Sequence, residues 1–279
     1  MSEVRFQHPD IVRPCGSLVD IVAHPNLQKN QAIEIAAFNE HRYAFFFWNK
    51  WLLNLRKKNS EIKSPALVSL DWHQDLVYPN KSEKQLLKEL DLANKGDVSL
   101  FCWAKLNPLN DGHIMAAAYL NLIGDVYINC RQGRFADDWK DETIVDINGN
   151  THIVKKFKEF SALESALLKS NEDAVFFDID LDYFTVKNGL SDGKFRFTYL
   201  SDKEIVALLS PDRLLIKWIF ERLEGFTIAL EPQHTGGLLK SNKYLGLLDK
   251  IYFKPGLFAY RSNWKHVTDF RSKRSNSNS

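Results

Sequence analysis

Ala66-Leu67-Val68-Ser69-Leu70-Asp71-Trp72-His73-Gln74-Asp75 is the stretch that decides the fold. The apolar run 66–70 reads as a buried strand, and it ends abruptly in two carboxylates and an imidazole. In an open parallel α/β sheet, ligands and reactive groups gather where strands end at their carboxyl side. Alternate residues of an extended segment point the same way, so Asp71, His73 and Asp75 are expected to converge while Trp72 and Gln74 face away. Two oxygen donors and one nitrogen donor suit a divalent cation, with a lean toward Mn²⁺ or Zn²⁺ over Mg²⁺. A polar turn without a ligand is the plainer alternative for this motif alone.

Phe176-Phe177-Asp178-Ile179-Asp180-Leu181-Asp182 repeats the pattern, with a strand over 174–179 that terminates in carboxylates at every second position. Crowding carboxylates at a dry strand end is costly through repulsion and desolvation, and a bound cation removes that cost. Two such clusters imply a shared site and a pair of metals. A third strand, Phe226 to Leu230, runs into Glu231-Pro232-Gln233-His234-Thr235-Gly236-Gly237. Glu231 then reads as a further acid of the site, a helix cap or a substrate anchor. His41, after Glu40 and before a buried helix, and His113, at a loop-to-helix junction, are further candidates.

Between these motifs the periodicity predicts alternating elements. Strands are expected at 20–23, 98–104 and 125–130, and helices at 42–57, 83–92, 113–123, 160–169, 202–209 and 213–223. Segment 30–38 fits either type, Asn148-Gly149 reads as a hairpin turn, and Pro211 suits the first turn of the helix that follows it. Strands separated by helices imply a three-layer α/β/α fold with a mostly parallel central sheet. One domain over 1–270 and a disordered polar tail over 271–279 are expected.

Composition sets the outer bounds. The 279 residues are 44% hydrophobic and 26% charged, with a formal net charge of +2, which gives no case for nucleic-acid binding. The three cysteines, Cys15, Cys102 and Cys130, form no C-x-x-C pair, and the odd number argues against a disulfide framework. No signal-peptide layout or membrane-length apolar run is seen, so a cytoplasmic protein without membrane partners is expected. Nothing in the pattern sets an oligomeric state.

The order Asp-x-His-x-Asp, Asp-x-Asp, then Glu, each after a strand, resembles the ureohydrolases, the arginase and agmatinase group, from His41 to Glu231. Asp71-Trp72-His73-Gln74-Asp75 and Glu231-Pro232-Gln233-His234-Thr235-Gly236-Gly237 resemble most closely the peptide arginases, which convert arginine to ornithine within ribosomally made precursor peptides. The resemblance implies an arginase-like fold, two Mn²⁺ ions, and an Arg-containing precursor peptide as partner. It implies metal ligation by His41, Asp71, His73, Asp75, Asp178 and Asp180, with Asp178 bridging. It also implies that Glu231 holds the guanidinium and His113 shuttles protons, and Asp75 is expected to orient the nucleophile.

The departures are specific. Glu40-His41 stands where arginases carry Gly-Gly-Asp-His. The third carboxylate of the later motif, Asp182, comes one residue early and is followed by Tyr183 instead of Pro, so Asp182 is left out of the expected ligands. Loops that grip the α-amino and α-carboxyl groups of free arginine are not recognisable, as a peptide-bound arginine would require. Three rivals remain. A single-zinc deacetylase would need fewer ligands, and a binuclear phosphoesterase would need a Gly-Asn-His motif that is absent. A non-catalytic peptide-binding relative would be expected to have lost ligands.

Overall fold

The computed structural model describes residues 12–133, 135–191, 194–259 and 261–266. The tail expected over 271–279 lies outside them. An eight-stranded sheet runs through the molecule in the order β1-β2-β10-β7-β3-β4-β6-β5. Its strands are β1 (Leu18–Ala23), β2 (Ala32–Phe38), β3 (Ala66–Leu70), β4 (Val126–Asn129), β5 (Glu142–Val145), β6 (Thr151–Phe157), β7 (Val175–Asp180) and β10 (Leu223–Ala229). A separate hairpin pairs β8 (Thr185–Ser191) with β9 (Lys194–Tyr199). The inner strands β2, β10, β7, β3, β4 and β6 are parallel. The edge strands β1 and β5 are antiparallel to their neighbours.

The helices are α1 (Ala44–Lys58), α2 (Lys81–Glu89), α3 (Lys95–Ala104), α4 (His113–Tyr119), α5 (Phe160–Leu167), α6 (Asp202–Leu208), α7 (Leu214–Arg222), α8 (Pro232–Thr235) and α9 (Leu238–Tyr252). They cover both faces of the sheet. On one face, Phe45, Phe47 and Trp48 of α1, with Phe101 of α3 and Met115 of α4, pack on Leu67, Ile128 and Phe176. On the other, Leu163, Ile216, Leu248 and Tyr252 of α5, α7 and α9 pack on Val68, Phe177, Ile179 and Phe226. Phe176 and Phe177 thus serve opposite layers, as the two-residue strand period demands, and both are fully buried. The three-layer α/β/α reading holds at this level.

Several expected elements differ. Val98–Ala104 belongs to helix α3, because Asn94 caps the backbone N–H groups of Gly96 and Asp97 and starts a helix three residues earlier. A seven-residue apolar run has no periodicity that separates strand from helix. Segment 30–38 resolves into β2. The second of the paired helices begins at Leu214 with Arg213 as its cap, so Pro211 lies in the turn before it.

What this frame does for function is align strand ends. Register pairs Ala229 with both Phe38 and Asp180, and Leu70 with Ile179. The carboxyl ends of β2, β10, β7 and β3 therefore stop at one level, and the residues just beyond them meet.

Candidate metal centre

Six carboxylates and two histidines lie together past those ends. Asp71, Asp178, Asp180 and Asp182 are at most 1% exposed, Glu231 is 5% exposed and Asp75 8%, while His41 and His113 are fully buried. His73 joins from the 71–75 loop, its side chain 23% exposed.

His41 is the pivot. It sits in a single 3-10 turn, His41–Tyr43, between β2 and α1. Its Nε2 lies 2.9 Å from Asp178 Oδ2. Its Nδ1 lies 3.0, 3.3 and 3.5 Å from Oδ2 of Asp75, Asp180 and Asp71. Donors on one edge of an octahedron with bonds of about 2.1 Å stand roughly 3.0 Å apart. A neutral imidazole donating from Nε2 to Asp178 would aim its Nδ1 lone pair at three carboxylates, an arrangement that a cation satisfies.

Donor atoms group into overlapping sets, each within 4.8 Å: His41 with Asp75 and His113, His41 with Asp71 and Asp180, and Asp71 with His73 and Asp182. Asp71 Oδ2 and His113 Nε2 are buried without a hydrogen-bond partner. Buried polar atoms are rarely left so, and a bound ion or water would satisfy these two. The residues could hold a metal ion.

The structure revises the expected ligand set at two positions. Asp178 is not among the grouped donors. Its Oδ2 accepts from Ser69 Oγ at 2.8 Å as well as facing His41, and its Oδ1 accepts from Thr227 Oγ1 at 2.6 Å. It meets His41 at Nε2, whereas the grouped carboxylates Asp71, Asp75 and Asp180 meet it at Nδ1. Asp182, left out of the expected set, lies inside the site, with Oδ2 2.9 Å from His73 Nδ1. The extended convergence of residues 71, 73 and 75 also fails in detail. The strand stops at Leu70, the His73 N–H turns back to Asp71 Oδ1 at 2.7 Å, and Asp75 adopts φ +52°. Asp75 therefore faces His41, whereas His73 faces Asp182.

The electrostatics show what concentrating these groups costs. Burial, then neighbouring carboxylates, raise Asp71 and Glu231 well above the usual carboxylate range. Burial, then Asp182, push Asp180 up to about 8. Burial opposes the charged form of His41, but Asp178 and the other acids outweigh it and hold the ring well above its ordinary value. His113 goes the other way, lowered well below its usual value by burial and then by His41.

Glu231 follows β10 in the left-handed region at φ +34°, strained for a side chain of this type. Its Oε1 accepts from the His41 N–H at 3.0 Å and from Asn110 Nδ2 at 2.7 Å. It lines a cleft of about 340 Å³ together with His73, Asp75, Asn110, Asp111, Glu142 and His234. No lysine or arginine lines that cleft among the described residues. Gln74 and Gln132 also border a second, open groove of about 680 Å³ that includes Trp72, Arg131 and Phe135. Sequence reasoning did not single out Asn110 or a role for His234. The loop composition around Asn110 was the available signal. Cys102 and Cys130 are buried and Cys15 is exposed, all as free thiols.

A scan of protein-family models returns no match to the chain, and a search of curated proteins returns none. No helix among the described residues is long and apolar enough to cross a membrane. The class these observations define is a three-layer α/β protein with a buried His/Asp cluster, suited to metal, at the carboxyl ends of its central strands.

Proposed function

We propose that this protein is a metal-dependent hydrolase of the ureohydrolase type, acting on the guanidinium of arginine carried in a peptide and releasing urea and peptidyl ornithine. The observation that carries the reading is Glu231, a buried carboxylate beside the donor cluster in a cleft lined by further acids and by no lysine or arginine among the described residues. A buried acid in such surroundings is stabilised by a cationic group, and a planar guanidinium offers paired N–H donors that match a carboxylate. The open groove beyond Gln74 and Gln132 supports a substrate attached to a chain.

Two divalent ions, Mn²⁺ by the family resemblance, would be held by His41, Asp71, Asp75 and Asp180 and by Asp71, His73 and Asp182. When bound, they would supply the Lewis acidity that turns water into a nucleophile at neutral pH. The chain does the rest. Glu231, fixed by the His41 N–H and Asn110, orients the guanidinium. Asp75, held at φ +52° next to His41, is placed to accept a proton from the attacking water. Water adds to the guanidinium carbon, the bond from that carbon to the side-chain nitrogen breaks, and the nitrogen leaves as an amine after gaining the proton that Asp75 took from the water.

Mass spectrometry of an Arg-containing peptide incubated with enzyme and Mn²⁺ tests the reading. Replacement of guanidine by amine lowers the mass by about 42 Da per arginine if metal-assisted hydrolysis occurs. Conversion of free arginine with no change in any arginyl peptide would overturn the peptide assignment.

A further inference from the structure

We infer that His113 is itself a metal donor, adding a second imidazole to the position of His41 and Asp75 and turning it toward a borderline divalent ion such as Zn²⁺ or Fe²⁺. This rests on the metal-dependent reading above and gives His113 a role different from the proton carriage that the family resemblance implies.

The argument starts from the tautomer. His113 Nδ1 lies 3.0 Å from the backbone carbonyl of Asn110. A carbonyl oxygen only accepts, so Nδ1 carries the hydrogen and Nε2 is left with a free lone pair. That nitrogen is buried and has no hydrogen-bond partner. The ring cannot easily swing away. It stacks on Trp48 with centroids 5.6 Å apart and planes 25° apart, and its centroid lies 4.2 Å from that of His41. A ring nitrogen of His113 lies within 4.8 Å of a ring nitrogen of His41 and a carboxylate oxygen of Asp75. Locking one imidazole nitrogen onto a backbone carbonyl is the usual way a protein aims the other at a metal. A carrier of protons to and from solvent needs access to it, and this side chain is fully buried.

The donor set then sets the preference. Imidazole nitrogen suits Zn, Fe and Ni, whereas carboxylate oxygen suits Mg and Mn. With His113 the His41 position has two imidazoles beside its carboxylates, against one imidazole in the set of Asp71, His73 and Asp182. The two positions are chemically unlike, and the His113 side takes the softer ion.

Nitrogen-15 NMR of the whole protein, labelled at its eight histidines and titrated with Zn²⁺, tests this directly. The expected result is that a nitrogen of each of three rings, His41, His73 and His113, moves to the metallated position. Movement of His41 and His73 without a third ring would overturn the assignment of His113 and leave the metal centre standing. No movement at all would overturn the metal centre itself. His113→Phe, which keeps an aromatic ring against Trp48, is expected to weaken Zn²⁺ binding at least tenfold by competition with a chelating dye. Affinity within twofold of the parent would count against the proposal.

Discussion

His41 divides its two nitrogens between scaffold and site, and the partner on each side defines a different kind of residue. Asp178 meets Nε2 and is anchored by Ser69 and Thr227, so it is placed to fix the ring. Asp180 lies on the Nδ1 side. Outer partners of metal-binding histidines affect affinity by roughly 10–100-fold. Asp178→Asn is therefore expected to weaken metal binding by that order and keep the stoichiometry, whereas Asp180→Asn should lose an ion. Equilibrium dialysis with metal analysis separates the two. Loss of an ion from the Asp178 variant alone would return that residue to the ligands. Glu231→Gln should leave metal content unchanged and raise KM for an arginyl peptide at least tenfold, since one charge is removed from the substrate side; a fall in kcat with constant KM would argue against a binding role. Most of these residues were legible in the sequence because each follows an apolar strand directly. The choice between Asp178 and Asp182 was not. Both stand in the same alternating run, and only the hydrogen bonds from Ser69 and Thr227, distant in sequence, show which carboxylate is occupied.

At the scale of elements, the packing of α1 against β2 and β10 sets the height of His41. Lys50 Nζ and Trp51 Nε1 each lie 2.6 Å from a carboxylate oxygen of Glu34 on β2. The pinned Trp51 ring then fills the space above Gly225 of β10, where an added Cβ would come within 2.1 Å of it. The ring has no room to step aside without breaking its bond to Glu34. Gly225→Ala should thus cost about 1–3 kcal/mol by overpacking. Urea unfolding checks this, and a change below the error of the method would mean that the helix shifts freely. The sequence showed α1 as a buried helix through its aromatic density. It did not show α3 as a helix, because its apolar run is short and has no periodicity that separates helix from strand. It did not show α9 or the β8–β9 hairpin either. Helix α9 carries Gly246 and several polar residues within its fifteen, and only packing of Tyr244, Leu248 and Tyr252 on the sheet makes it one.

Across the whole molecule, the charge cluster links folding to both pH and metal. Asp180 binds its proton up to about pH 8 when folded, well above its ordinary 3.8, and Asp71, Glu231 and His41 are raised too. In the window between the ordinary and raised values, the folded metal-free chain holds more protons than the unfolded chain. Stability must then fall as pH rises through that window. The contribution of Asp180 is fully present below its ordinary value and is lost as pH climbs through about 8. Bound cations replace those protons, so metal binding should release protons and gain strength with rising pH. The melting temperature of chelator-treated protein is expected to drop from pH 5.5 to pH 8.5, while the gain on adding back Mn²⁺ or Zn²⁺ grows over the same range. Scanning calorimetry at several pH values measures both trends, and calorimetric titration in two buffers of different ionisation enthalpy measures the released protons. A metal-free chain whose stability is flat or rises over that range would show that the carboxylates are already balanced within the fold, and that the site was not built around a cation.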